Sequence, residues 1–291
     1  MFALCGFALL SLGDAVVKTM AGEWPPTAIA ALRYVLGAAG LSAILLATEG
    51  PAGFHFARSG LQVVRGVAVA ISTVAFFASL FVMPLAEATT IVFVSPLITG
   101  LLAPLFLGER AIRATWIASG AAFVGVLIVL RPNLAALGPA ALLPLASAFG
   151  MSALFMANRA VAGSASALAM QAKLALVAAP VLVAAAGLGH MSGIERLAIG
   201  APSAVVATKC AFVALSASTA HWLIYMGTVR AGAATIAPMT YVQLVVAIGL
   251  GWLWFGDRPA GWSLLGGVII IGSGLYLWRA TNRKAVIDVG I

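Results

Sequence analysis

Charge is what this chain lacks. Asp, Glu, Lys and Arg make up 8% of its 291 residues, and the 8 acids among them face 16 bases. So few charges cannot clothe the surface of a soluble domain of this length, so a water-exposed globular fold is excluded. The shortage of acids also removes the raw material for a multi-carboxylate metal site or proton relay. Cysteine is equally sparse. Cys5 and Cys210 each lie in an apolar stretch without paired spacing, which excludes a disulfide scaffold and marks them as small buried hydrophobes. His221 has no second His, Cys or acid at ligand spacing, so no metal site and no cofactor are expected. No nucleophile–base pair appears either. The longest gaps between apolar stretches, residues 48–60 and 189–202, are too short for a catalytic domain, so the chain is not read as an enzyme.

What is present is hydrophobic length. Apolar residues are 63% of the chain and its mean hydropathy is +1.12. A helix needs about 20 apolar residues to cross roughly 30 Å of hydrocarbon. Ten stretches meet that need, near 2–20, 25–47, 61–82, 84–107, 114–130, 138–158, 167–188, 203–229, 232–255 and 261–278. They are continuously apolar rather than alternating, which predicts helices and not barrel strands. The first stretch has no basic residue before it and contains Asp14 and Lys18, so it reads as a retained span. The partners expected are the bilayer and a small solute, with a monomer as the simplest assembly.

The last five stretches repeat the first five. Ile71-Ser72-Thr73-Val74-Ala75-Phe76 aligns with Ala217-Ser218-Thr219-Ala220-His221-Trp222, and Ala88-Thr89-Thr90 with Ala234-Thr235-Ile236. Leu107-Gly108-Glu109-Arg110 aligns with Phe255-Gly256-Asp257-Arg258, and Gly120 and Gly125 with Gly267 and Gly272. The first two spans align more weakly and pair Arg33 with Lys173. Five spans per copy is an odd number, so the second copy inserts upside down. The expected fold is therefore all-α, with ten transmembrane helices as two inverted five-helix repeats around a central cavity. Residues 1–131 and 138–279 form the repeats, and 280–291 a short cytoplasmic tail. Inverted repeats suit a carrier with two alternate openings around one site.

Basic residues fall unevenly about these spans. Arg58, Arg65, Arg110, Arg113, Arg159, Arg230, Arg279, Arg283 and Lys284 lie on the side of the N-terminus. Lys18, Arg131, Arg196 and Arg258 lie opposite, and Arg33, Lys173 and Lys209 fall inside spans. The positive-inside rule then places both termini in the cytoplasm of a cell (inner) membrane. This asymmetry accounts for the net charge of +8 without a nucleic-acid surface.

The polar residues inside spans mark candidate sites. Asp14 reads as the one carboxylate well inside a span, with Lys18 on the same helix face. It is either half of an ion pair or a proton-coupling group. Arg33, Lys173 and Lys209 either face a cavity or snorkel to the interface. Ser218, His221, Trp222 and Tyr225 share one helix face, and Ser72, Phe76 and Ser79 stand at similar steps in the matching span, with Phe77 and Phe81 alongside. Phe93 and Ser95, and Tyr241 and Gln243, add to this mixture from the next pair of spans. Ser72, Phe76, Phe77, Phe93, Ser95, Ser218, His221, Trp222, Tyr225, Tyr241 and Gln243 are the predicted substrate contacts. They suit a solute with an aromatic or apolar body and a few polar groups. Pro96 and Pro104, Pro180 and Pro238 fall within spans, where each removes a backbone hydrogen bond. Ala121 with Gly125 and Ala247 with Gly251 offer small-residue faces for close packing.

The two halves, the Gly-Glu-Arg and Gly-Asp-Arg turns, Pro96, Gly120 and Gly125, and Arg33 within Leu32-Arg33-Tyr34 resemble the ten-helix EamA-type exporters of the drug/metabolite transporter superfamily. The resemblance spans Phe2 to about Trp278. It implies two inverted halves around a central cavity, exporting amino acids or similar metabolites. The aromatic stripe is similar to what an aromatic-amino-acid exporter would need. Lys173 departs from the pattern by standing opposite Arg33. The superfamily also includes sugar-phosphate and nucleotide-sugar carriers, which the three intramembrane cations keep open as an alternative. A passive channel is the other.

Overall fold

The computed structural model describes residues 1–55, 58–108, 113–161, 163–231 and 237–288, which are helical and carry no strand. The α-helices are α1 (Phe2–Lys18), α2 (Pro26–Glu49), α3 (Ser59–Leu80), α4 (Leu85–Val92), α5 (Ser95–Leu107) and α6 (Arg113–Leu137). They continue as α7 (Leu143–Ala160), α8 (Ala167–Met191), α9 (Ala204–Ala231), α10 (Val242–Phe255) and α11 (Gly261–Asp288). Among the described residues seven helical stretches, against the ten expected, have the length and hydropathy to cross a membrane, and Met239–Phe255 is a shorter apolar helix. Apolar, Ala- and Leu-rich runs favour helix because each backbone polar group is satisfied within its own segment. Their starts are locally encoded: Pro26 occupies the first position of α2, and Ser166 caps α8 by accepting from the Ala169 N–H at 3.0 Å.

The stretch 84–107 is two helices rather than one. α4 ends at Val92 and α5 begins at Ser95, with Phe93 and Val94 turning between them in right-handed helical conformation. Pro96 near the start of α5 explains the break, since its ring nitrogen cannot bond back into α4. A 3₁₀ turn, Ala237–Tyr241, precedes α10 in the same way. Both α5 and α10 end on a left-handed glycine, Gly108 at φ 68° and Gly256 at φ 67°. Glu109, Arg110, Ala234, Thr235 and Ile236, which carry part of the repeat, lie outside the described residues.

Four helix pairs make the most extensive contacts: α3 with α7, α6 with α11, α2 with α8, and α1 with α9. Small residues let these helices approach. A β-carbon on Gly125 would stand 2.9 Å from the Gly266 carbonyl oxygen, and one on Gly266 2.6 Å from that of Gly125. The backbones of α6 and α11 therefore touch directly, where van der Waals contact replaces the hydrophobic drive that lipid removes. The main buried cluster joins Ile29, Phe77, Leu80, Leu85, Ile91, Leu97, Val129, Leu182 and Ile270 from across the bundle. Large apolar side chains such as Leu105, Leu215, Trp252 and Val268 point outward.

Candidate functional site

The predicted contact residues do not all meet. Phe93 and Tyr241 do: their rings meet edge to face, centroids 5.7 Å apart and planes at 86°. The Tyr241 hydroxyl lies against the backbone of Gly274 on α11, where a β-carbon would stand 1.7 Å from it. Nearby, Ser11 of α1 donates to the Gln243 carbonyl at 3.1 Å, and Thr240 to its side-chain oxygen at 3.3 Å. Ser72 is buried and committed to Ser147, 2.9 Å between hydroxyls and 3.0 Å to the carbonyl. Ser95 is also buried, and its carbonyl accepts from Thr99, which bonds Ser152 of α7. Ser79 and Ser218 donate to carbonyls of their own helices, Phe76 and Ala214. These hydroxyls brace the bundle.

On α9 the stripe divides. Trp222 is 57% exposed and stands two turns from Leu215, which is 69% exposed, on the same face. Tyr225 is 47% exposed. The extensive contacts of α9 are with α1 and α2, so the structure does not close Trp222 and Tyr225 onto Tyr241. His221 is like both. Its side chain is exposed.

Arg33 of α2 is positioned by aromatic rings. Its guanidinium lies 5.0 Å from the Tyr34 ring centroid and 5.5 Å from that of Phe77, which is 2% exposed. The Tyr34 hydroxyl is held at 3.3 Å from that of Thr73 on α3.

The remaining intramembrane charges correct the expectations drawn from sequence. Lys18 does not pair with Asp14. Its Nζ donates to Asp257 Oδ2 at 2.6 Å and to the Met83 carbonyl at 3.1 Å, and it lies 4.9 Å from the Phe255 ring centroid. Spacing on one helix could not reveal this, because the partner is 239 residues away. Lys209 has a partner too: it bonds Glu23 Oε1 at 3.0 Å and the Thr19 carbonyl at 3.3 Å. Buried Arg65 of α3 donates to Asn158 Oδ1 at 2.6 Å, to Gln62 Oε1, and to the Met170 carbonyl at 3.3 Å. Lys173 is buried at 3% exposure.

Asp14 is also not the one intramembrane carboxylate. Glu87 of α4 is 7% exposed and accepts from Asn133 of α6 at 2.8 Å and from Ser263 of α11 at 2.6 Å. Glu87 stands one turn inside the start of the stretch 84–107, where an acid reads as an end-of-span residue. The signal was an acid next to Ala86 and Ala88 in a stretch otherwise without charge. Among the described residues no group of three His, Cys, Asp or Glu side chains could hold a metal ion.

Comparison with known proteins places this arrangement. The sequence profile of the EamA-like transporter family matches residues 1–131. The "Riboflavin transporter" of Rhizobium johnstonii is 31% identical over 76% of this chain and 70% of that protein. The "S-adenosylmethionine uptake transporter" of Rickettsia conorii is 25% identical over 78% of this chain and 76% of that protein. The "Pseudopaline exporter CntI" of Pseudomonas aeruginosa is 28% identical over 92% of each. A solved crystal structure shares the fold, with a TM-score of 0.60 at 19% identity, covering 97% of this chain and 98% of its own. The chain is thus a multi-pass membrane protein and belongs to the EamA-like transporter family of the drug/metabolite transporter superfamily.

Proposed function

We propose that this protein is a secondary carrier that moves a small metabolite by alternating access through a cavity between two inverted five-helix halves, residues 1–131 and 138–279. The observation that carries the reading is the pattern of helix contacts. Exchanging α1 with α7, α2 with α8, α3 with α9, α4–α5 with the 3₁₀ turn and α10, and α6 with α11 maps the most extensive helix contacts onto one another. The α3–α7 contact becomes α9–α1, α5–α7 becomes α10–α1, and α3–α8 becomes α9–α2, all of which occur. The α2–α8 and α6–α11 contacts map to themselves. Two halves that can trade environments are what alternating access requires. Polar closures also stand at both ends of the bundle: Lys18–Asp257 and Lys209–Glu23 at one, and the Arg65 network at the other. The setting is a bacterial inner membrane with both termini cytoplasmic, as the basic asymmetry favours.

The names of the relatives redirect the substrate expectation. They name riboflavin, S-adenosylmethionine and pseudopaline, which replaces the aromatic amino acid suggested by the aromatic stripe. Riboflavin and S-adenosylmethionine each have a flat heteroaromatic ring and polar groups, so the solute proposed is a ring-bearing metabolite. The relatives' names include both uptake and export, so direction is not carried over. A sugar-phosphate carrier is less favoured, since Lys209, one of the three cations inside spans, is already paired with Glu23.

Counterflow in proteoliposomes tests the reading with labelled riboflavin and labelled S-adenosylmethionine. Faster entry of one label when the same unlabelled solute is inside is the expected result. Entry unaffected by internal solute would make the protein a channel, and no entry of either would remove this substrate class.

A further inference from the structure

Packing divides the bundle differently from chain order. α7 of the second half packs on α3 and α5 of the first, and α1 of the first half packs on α9 and α10 of the second. A β-carbon on Gly150 of α7 would stand 2.9 Å from the Ala68 carbonyl oxygen of α3, and one on Gly6 of α1 2.7 Å from that of Ala220 on α9. Backbone therefore touches backbone in both groups, and such contacts do not slide without overlap. Matching polar ties reinforce them. Thr99 of α5 bonds Ser152 of α7 at 3.0 Å, and Ser11 of α1 bonds the Gln243 carbonyl of α10 at 3.1 Å. Arg65 ties α3 to Asn158 of α7, and Lys209 ties α9 to Thr19 and Glu23 just beyond α1.

The equivalence fails between the groups. The C-terminal half of α3 is closed against α1 and α2. There the Tyr34 hydroxyl lies 3.3 Å from that of Thr73, and the Arg33 guanidinium 5.5 Å from the Phe77 ring centroid. Lys18 donates to the Met83 carbonyl just beyond α3 at 3.1 Å. The mirrored contacts would close the C-terminal half of α9 against α7 and α8, and among the described residues those pairings are at most marginal. Burial follows the same division. In the alignment that pairs Ile71 with Ala217, buried Val69, Thr73 and Ser79 correspond to exposed Leu215, Thr219 and Tyr225.

We propose that the moving bodies are these two interleaved groups, α1–α9–α10 and α3–α5–α7, rather than the two repeats, and that this structure is the arrangement closed outside and open to the cytoplasm beside the C-terminal half of α9. In the opposite arrangement α9 closes on α7 and α8, while the Tyr34–Thr73 and Lys18–Met83 contacts part. The α2–α8 contact maps onto itself, so it serves both arrangements as the pivot. Each body keeps its internal packing throughout, and only the contacts between bodies are exchanged, as in other two-state interfaces. The inference rests on the carrier reading and the orientation proposed above, and it names the parts that move.

Distances between spin labels test this without transport. Labels are attached in pairs to the full chain in lipid, in a Cys5→Ser, Cys210→Ala background, and measured by electron–electron double resonance. Ala21→Cys and Val205→Cys mark the outer end of one body, and Val82→Cys and Leu142→Cys that of the other, all at exposed positions. Tyr34→Phe with Thr73→Val removes the hydroxyl link and favours the opposite arrangement. The Ala21–Val82 pair should then gain a component longer by more than about 2 Å, the scale of a hinge rearrangement. The Ala21–Val205 and Val82–Leu142 distances should hold, which also shows that the variant is folded. On the inner side, labels at Phe155→Cys of α7 and Tyr225→Cys of α9 should draw together in the same proportion. Repeats moving as rigid halves would give the reverse pattern: Ala21–Val82 would hold, because both lie within 1–131, and Ala21–Val205 would change. That pattern overturns the proposal, as does an Ala21–Val82 distance that never changes or an outer lengthening without inner shortening. The expected distances without counterflow of riboflavin or S-adenosylmethionine would support the bodies and remove only the ring-bearing substrate class.

Discussion

Phe93 and Tyr241, each fifteen residues before the left-handed glycine that ends α5 or α10, meet ring to ring at 5.7 Å. One closes α4 and the other opens α10, so the contact joins the two places where a long apolar stretch breaks. Edge-to-face ring pairs are worth about 0.5–1.5 kcal/mol beyond their area burial. A double-mutant cycle with Phe93→Leu and Tyr241→Leu, read by chemical unfolding of the detergent-solubilised protein, should return a coupling of that size. Additive effects would mean that the rings only adjoin.

Gly274→Ala should act through Tyr241, because the added methyl would occupy the place of its hydroxyl. The expected result is a loss of about 1–3 kcal/mol, typical of overpacking. Tyr241→Phe, which removes the hydroxyl, should reduce that loss when combined with Gly274→Ala. An equal loss in both backgrounds would place the strain elsewhere.

The contact of α6 with α11 makes a sharper demand, since a β-carbon at Gly125 or Gly266 meets backbone that cannot rotate away. Gly266→Ala should lower the thermal midpoint of the purified protein, and Gly266→Leu should abolish a monodisperse species. Gly120→Ala is the matched control, because nothing stands within 4 Å of its β-position. A midpoint lowered as much by Gly120→Ala as by Gly266→Ala would contradict direct backbone contact.

Lys18 and Asp257 tie α1 to the start of the loop after α10. Asp257→Asn should cost about 1.5–3 kcal/mol, the range for a hydrogen bond to a charged group, with partial exposure favouring the lower end. Asp14→Asn should leave that bond unaffected, which distinguishes this pairing from one within α1. A crosslink between Lys18→Cys and Asp257→Cys by a short bifunctional thiol reagent, long enough to span the ion pair, reports the same proximity independently, and its absence would count against it.

Glu87 should be intolerant of truncation. Glu87→Ala removes the acceptor of both Asn133 and Ser263 in a buried setting, and an unpaired buried group costs about 1–3 kcal/mol. Replacing Ser263 by Ala in the Glu87→Ala background should recover part of that loss, since no hydroxyl is then stranded. No recovery would show that the hydroxyl finds another partner.

Class and secondary structure were legible in the sequence because they depend on local quantities. Apolar length specifies a spanning helix wherever water is absent, and Pro26, Ser166, Pro96, Gly108 and Gly256 mark starts, a break and stops through their own backbone chemistry. The small-residue faces could be read for the same reason, and Gly125 does meet α11. The partners of the polar groups could not be read. Lys18 has Asp14 one turn away along the chain but bonds Asp257, and Lys209 finds Glu23 across the bundle. Ser72, expected as a contact for solute, is held by Ser147, while Trp222 stands exposed on α9. Sequence spacing describes one helix at a time, whereas charge compensation in a membrane is settled between helices. Which acid each cation would meet was therefore decided only when α1, α9 and the residues after α10 packed together.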